Sequence, residues 1–129
     1  LSKAQYIEFA LPYMQKIAAS ITEVPVILFA KDAHYILTEF ENTNCSVIGL
    51  DWTIEPQKAR SEAPTKTLQG NLDPCVLYAD KQTIKIEAEK MLRTFGQQKY
   101  ICNLGHGVYP DVDFEKAKYF IDVVQNFKA

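Results

Sequence analysis

The chain has 129 residues, a formal net charge of −2, and a composition that is 47% hydrophobic and 23% charged. This balance is typical of a globular domain and excludes a disordered chain. There is no basic stripe for a phosphate backbone, no apolar run near the roughly 18 residues of a membrane span, and no secretory signal pattern. We therefore expect no nucleic-acid partner, no membrane and a cytoplasmic location.

Residues 2 to 21 predict a helix with a break. Ser2 and Gln5 have the spacing of a capping box, and apolar side chains recur at helical spacing from Ile7 to Ile21. Pro12 removes a backbone donor and disfavours helical geometry in the residue before it, so we expect a kink or two short helices there.

Residues 24 to 62 predict two strand-helix units. "VPVILFA" at 24–30 and "SVIGLD" at 46–51 are short β-branched runs without alternation, typical of parallel strands covered on both faces. A helix with Asp32 as its cap is predicted after the first run, and a short helix with Pro56 in its first turn after the second.

Residues 65 to 127 predict two further units. "TKTLQGN" at 65–71 is a poor strand by propensity, but the alternation of strands and helices requires a strand there. Asp80 and Gly96 bound a predicted helix, "KYICNLG" is the fourth strand, and Asp113 begins a final helix with an apolar stripe from Phe114 to Val124. The prediction is an α/β fold with a parallel sheet. Periodicity leaves open whether it is a doubly wound open sheet or half of a (β/α)8 barrel.

Polar residues follow all four predicted strands. Both candidate folds bind ligands beyond the carboxyl ends of their strands, so these positions together form a candidate site. They are Lys31 and Asp32, Asp51 and Trp52, Asn71 and Asp73, and Asn103 to His106.

His106 is the leading candidate because it stands between two glycines where an apolar run stops, in "ICNLGHGVYP". Its imidazole is suited to donate to a substrate carboxylate or to move a proton, and the alternative is a loop histidine bonded to a neighbouring carbonyl. Asp51 is equally suited to bind substrate or to cap the turn that follows it. Asn71 is either a ligand contact or part of a tight turn, and Tyr109 is either a rim contact or a packing group.

Several kinds of chemistry have no motif in this chain. It contains no Gly-rich phosphate loop, nucleophile elbow or H-E-x-x-H helix. Its cysteines, at 45, 75 and 102, lack the spacing of zinc or redox sites, and we expect reduced, mostly buried thiols. We predict no metal site.

Four stretches carry a resemblance to a known family: "VPVILFAKDAHY", "VIGLDWTIEPQKAR", "KTLQGNLDPCVLYA" and "FGQQKYICNLGHGVYPDVD". They occur in order along residues 1–129 and closely resemble the carboxyl-terminal half of uroporphyrinogen decarboxylase. This resemblance implies the last four strand-helix units of a (β/α)8 TIM barrel in a cytoplasmic homodimer. It implies cofactor-free decarboxylation of the four acetate side chains of uroporphyrinogen, with His106 contacting this tetrapyrrole substrate. Ala33 stands where relatives often have glycine.

The resemblance also implies what this segment lacks. In the family, the catalytic aspartate and the arginines that bind substrate carboxylates lie in the amino-terminal half, so no catalytic residue is assignable here. Arg60 and Arg93 lie within predicted helices, where we expect them to face solvent or pair with carboxylates. Half a barrel has two open sheet edges, and the chain begins with Leu1. We therefore expect a portion of a longer enzyme, inactive alone, or a half that dimerises to complete a barrel.

Two alternatives remain at this point. One is a truncated, non-catalytic paralogue that binds a porphyrin or a full-length partner. The other is a corrinoid-dependent methyltransferase, a group that shares this barrel. Its histidine and cysteine zinc ligands are missing, because Cys102 lies inside the predicted strand that precedes His106.

Overall fold

A computed structural model describes residues 1–128 as a layer of helices over one parallel sheet. The helices are α1 (Lys3–Phe9), α2 (Leu11–Ser20), α3 (Leu37–Glu41), α4 (Pro56–Glu62), α5 (Lys81–Phe95) and α6 (Phe114–Asn126). The strands are β1 (Ile27–Phe29), β2 (Val47–Gly49), β3 (Thr67–Leu72) and β4 (Tyr100–Leu104), and 3₁₀ helices span His34–Ile36 and Pro74–Tyr78. The predicted alternation of strands and helices is confirmed, including the strand with poor propensity.

The order of the strands distinguishes between the two folds that the sequence left open. All neighbours are parallel and the order is β1-β2-β3-β4, so each strand pairs with the one before it in the chain. A doubly wound sheet reverses its strand order at the switch point where it binds ligands. Four consecutive units without reversal are the arrangement of a (β/α)8 barrel.

The two faces of the sheet differ sharply. Leu28, Ile48 and Leu68 are aligned across three strands and lie at 7%, 0% and 0% exposure against the helices. On the opposite face Phe29 and Ile101 are 44% and 42% exposed. The expectation of a first strand covered on both faces is therefore wrong for this chain, because no element within residues 1–128 lies over the face that carries Phe29. We call this the inner face.

The amino-terminal helices follow the prediction closely. Ser2 accepts from the backbone N–H of Gln5, and the Gln5 side chain accepts from the backbone N–H of Ser2, which completes the capping box. The helix breaks at Ala10, and Pro12 lies in the first turn of α2, where its missing donor costs least. The apolar face is less buried than predicted, since Ile17 is 57% exposed.

Helices α5 and α6 begin and end at the predicted residues, whereas the predicted cap of the helix after β1 is wrong. Asp80 accepts from the N–H of Thr83, Asp113 accepts from the N–H of Glu115, and Gly96 ends α5 with a positive φ. Asp32 was the wrong cap for the helix after β1. It has a positive φ, and its carboxylate lies 3.6 Å from the Lys31 ammonium.

Each arginine has a defined partner. Arg60 donates to the carbonyl oxygens of Lys66 and Lys99, both at 2.8 Å. It therefore joins the segments that lead into β3 and β4, which corrects the expectation that it faces solvent or a carboxylate. Arg93 forms the expected ion pair, 2.9 Å from Glu89.

Candidate functional site

The chain leaves β4 in tight contact with the last residue of β3 and with the loop that follows β2. The backbone N–H of Gly105 donates to the carbonyl of Leu72 at 2.7 Å, and a Cβ at Gly105 would lie 2.5 Å from the backbone nitrogen of Trp52. Only glycine fits this position, because the close atoms belong to the backbone and cannot move aside. A Cβ at Gly107, by contrast, would meet no atom within 4 Å. The first glycine thus fixes where His106 emerges.

His106 is exposed beside the indole of Trp52. The two ring centroids are 6.1 Å apart at an interplanar angle of 83°, an edge-to-face contact. Lys31 lies on the same indole, with its ammonium 5.8 Å from the ring centroid. The indole therefore brings together two nitrogen donors that follow different strands.

A cleft of about 380 Å³ opens along the inner face below His106. Its floor is mostly apolar, with Ile27, Phe29 and Leu50, and its polar side chains are Gln69, Asn103 and His106. The register places Gln69 between Gly49 and Ile101, so the carboxamide lies on the inner face of β3. The cleft therefore offers both apolar surface and hydrogen-bonding side chains to a ligand.

Asp51 is buried at 3% exposure and is occupied by protein donors. One carboxylate oxygen accepts from the backbone N–H of Asp32 at 2.6 Å, and the other accepts from the backbone N–H and hydroxyl of Thr53 at 2.8 and 2.5 Å. This is the turn-capping alternative considered above. It joins the loops after β1 and β2.

Asn71 is also buried, at 7% exposure. Its side-chain amide donates to the carbonyl oxygens of Asp51 and Ile54, at 2.9 and 2.8 Å. Neither Asp51 nor Asn71 lines the cleft beside His106. Asp51, after β2, and Asn71, near the end of β3, therefore hold the strand ends together.

Tyr109 lies outside the cleft lining and stacks on Tyr78, with centroids 6.2 Å apart and an interplanar angle of 25°. The Tyr78 hydroxyl donates to Asp111 at 2.6 Å. This hydrogen bond to a carboxylate, together with desolvation, raises the pKa of Tyr78 to about 12. The aromatic pair joins the segment after β3 to the loop after β4.

Sequence reasoning missed two features of this region. Gln69 was treated only as part of a doubtful strand, because "TKTLQGN" has a single apolar side chain, Leu68, and so no alternation that assigns Gln69 to a face. The pairing of Tyr78 with Asp111 joins residues 33 positions apart, and no local pattern indicates such a contact.

Comparison with known proteins agrees with this geometry. A family model described as uroporphyrinogen decarboxylase (URO-D) matches residues 1–127. The uroporphyrinogen decarboxylases of Ovis aries and Homo sapiens are each 47% identical over 127 residues, covering 91% of this chain and 35% of the relative. That of Chlorobium chlorochromatii is 44% identical over 138 residues, covering 100% of this chain and 39% of the relative.

The chain belongs to the uroporphyrinogen decarboxylase family. It spans a little over a third of the length of these curated relatives.

A solved structure also shares the fold. A methyltransferase from Methanosarcina mazei superposes with a TM-score of 0.85 at 21% identity, over 100% of this chain and 39% of its own. At this identity the similarity shows the fold alone. Together with the strand order, it confirms the expected half of a (β/α)8 barrel.

Among residues 1–128 no group of three or more His, Cys, Asp or Glu side chains is arranged to hold a metal ion. In the same part of the chain, every helix is too short or too polar to cross a membrane. The roles of His106, Asn71, Asp51 and Tyr109 toward a substrate stay predictions.

Proposed function

We propose that this chain is the carboxyl-terminal half barrel of a uroporphyrinogen decarboxylase and that His106 binds the substrate. The reaction removes the four acetate carboxyl groups of uroporphyrinogen as carbon dioxide and gives coproporphyrinogen. The observation that most directly supports this proposal is that His106 lies at the mouth of the inner-face cleft, without a hydrogen-bond partner among residues 1–128. An imidazole N–H there is free to donate to a substrate carboxylate.

The lining of the cleft also indicates that the two halves of the barrel contribute different groups to the active site. Decarboxylation begins with protonation of a pyrrole carbon, which creates a cationic electron sink next to the acetate. The carbon–carboxyl bond then breaks and releases carbon dioxide, the methylene carbon takes up a proton, and the pyrrole carbon gives up the proton it had received, so each decarboxylation takes up one proton in total. A carboxylate must stabilise the cation and fixed cations must bind the substrate's own carboxylates. No Asp, Glu, Arg or Lys lines the cleft within residues 1–128, so this half supplies shape, apolar surface and His106.

The remaining charged groups then come from elsewhere in the polypeptide. We propose that they lie in the amino-terminal half, which faces the inner face when the barrel is complete. Lys31 of this half follows β1 and lies over the indole of Trp52, and Asp32 partly neutralises it at 3.6 Å. We further propose that the complete enzyme is a cytoplasmic homodimer and that it works without a cofactor.

The test is a His106→Ala variant of the protein expressed from its complete coding sequence, assayed anaerobically for coproporphyrinogen formation. A hydrogen bond to a charged group contributes about 1.5 to 3 kcal/mol, so we expect kcat/KM to fall about tenfold to a hundredfold. His106→Gln keeps a side-chain N–H and should retain part of the activity. His34→Ala is the matched control, because His34 lies outside the cleft lining.

Two outcomes separate the alternatives, and a mass measurement adds a further test. Unchanged KM and kcat in His106→Ala would remove His106 from the substrate site. Porphyrinogen binding by the wild-type protein without release of carbon dioxide would support the non-catalytic paralogue instead. The intact mass of the polypeptide in its native source adds an independent check, because a complete barrel needs roughly 250 residues.

A further inference from the structure

The loop that carries His106 runs from Gly105 to Asp113 and contains no helix or strand. Its first residue is fixed by the hydrogen bond to Leu72 and by the close approach to Trp52. His106 to Tyr109 are exposed. A segment of this kind is mobile unless its far end is also held, because few buried contacts oppose its motion.

The far end is held by the segment that follows β3. The Tyr78 hydroxyl donates to Asp111, and the Tyr78 ring stacks on Tyr109. Tyr78 ends the 3₁₀ helix that begins at Pro74, and this helix is anchored by the buried side chains of Pro74 and Leu77. Lys116 of α6 donates to the carbonyl of Ala79, just beyond the same 3₁₀ helix. The loop is therefore tied to a rigid element.

We propose that the hydrogen bond between Tyr78 and Asp111, which we call the latch, positions His106 toward the cleft. This inference rests on the proposed function, because it concerns the histidine assigned there to the substrate. Tyr78 and Asp111 are positioning residues and do not themselves line the cleft. A phenol donating to a carboxylate at 2.6 Å is a short, charge-assisted hydrogen bond, which suits it to restrain an exposed loop.

Alternative roles for Asp111 are already filled by other residues. The amino terminus of α6 is capped by Asp113, which accepts from the N–H of Glu115. The loop's own turn is closed by the N–H of Val112, which donates to the carbonyl of Tyr109 at 3.1 Å. The side chain of Asp111 thus serves the contact with Tyr78 alone among the described residues.

The test is a double-mutant cycle in the protein expressed from its complete coding sequence. Tyr78→Phe removes the hydroxyl and keeps the aromatic stack, and we expect kcat/KM for uroporphyrinogen to fall about tenfold. In a His106→Ala background the same change should have almost no effect, because the latch acts through the imidazole. A merely structural role would instead give equal losses in both backgrounds.

A matched pair of substitutions at Asp111, the acceptor, tests the same hydrogen bond. Asp111→Asn keeps an oxygen that accepts from the phenol, so it should retain most of the activity. Asp111→Ala should reproduce Tyr78→Phe, and combining these two should add little further loss. Full activity in both Tyr78→Phe and Asp111→Ala would overturn the latch while leaving the assignment of His106 intact.

A spectroscopic measurement tests positioning without relying on catalysis. The imidazole protons of His106 experience the ring current of Trp52, and they are identified by their absence from the spectrum of His106→Ala. In Tyr78→Phe we expect these resonances to move toward the values of a free imidazole. If His106→Ala has full activity, the proposed function fails, and the imidazole shifts still decide the latch. Unchanged shifts in Tyr78→Phe would overturn it.

Discussion

The ends of β2 and β3 differ from the end of β4 in what their polar residues bind. Asp51 is buried and accepts from protein N–H groups, and Asn71 is buried and donates to protein carbonyl oxygens. His106 is exposed and has no hydrogen-bond partner within residues 1–128. Asp51 and His106 follow their strands and Asn71 is the next-to-last residue of β3, so all three lie at the carboxyl ends of parallel strands and position alone does not identify a ligand-binding residue. Whether a side chain is already satisfied by the protein separates a structural residue from a candidate site residue.

The largest effect should come from Asp51→Ala. This change leaves the N–H groups of Asp32 and Thr53 and the Thr53 hydroxyl without their acceptor. Asp32 and Thr53 are exposed, so water can partly replace the lost acceptor; at about 1 kcal/mol for each lost hydrogen bond, the free energy of unfolding should fall by about 2 to 3 kcal/mol. Urea denaturation measures it.

The matched control for Asp51 is Asp80→Ala, which removes an exposed helix cap. A lost cap costs about 1 kcal/mol. If Asp51→Ala were as mild as Asp80→Ala but abolished turnover, Asp51 would belong to the substrate site and the contrast with His106 would disappear.

The two glycines beside His106 offer a smaller and sharper comparison. A Cβ at residue 105 would lie 2.5 Å from the Trp52 nitrogen, while residue 107 has open space. Overpacking costs about 1 to 3 kcal/mol, so Gly105→Ala should lower the unfolding free energy by that amount and weaken substrate binding. Gly107→Ala should change the unfolding free energy by less than about 0.5 kcal/mol. Equal melting temperatures for the two variants would contradict the close approach.

His106→Ala should leave stability almost unchanged. An exposed side chain without a protein hydrogen bond contributes within about 0.5 kcal/mol to the free energy of unfolding. Loss of activity at constant stability is the opposite of the result expected for Asp51→Ala. A drop in melting temperature comparable to that of Asp51→Ala would instead show that the imidazole packs as part of the fold.

The sequence predicted local features well because they depend on neighbouring residues. The capping box at Ser2, the cap at Asp80 and the stop at Gly96 all follow from interactions within one helix turn. Strand order and the open inner face depend on contacts between distant segments, so periodicity left the strand order undecided and predicted wrongly that the first strand is covered on both faces. The family resemblance predicted the barrel fold. The structure was needed to distinguish Asp51 and Asn71, which bind other protein groups, from His106, which does not.

The smallest effect concerns the latch at high pH. The hydrogen bond to Asp111 raises the pKa of Tyr78 from 10.0 to about 12, so the folded protein retains the phenolic proton more tightly than the unfolded chain. The stabilisation is therefore complete below about pH 10 and is lost as the pH rises toward 12. Difference titration of tyrosinate absorbance between wild type and Tyr78→Phe measures this ionisation. Asp111→Asn removes the neighbouring charge and should lower the pKa of Tyr78 toward its ordinary value. An unchanged titration would mean that the carboxylate does not hold Tyr78, and the loop with His106 would then be anchored only at Gly105.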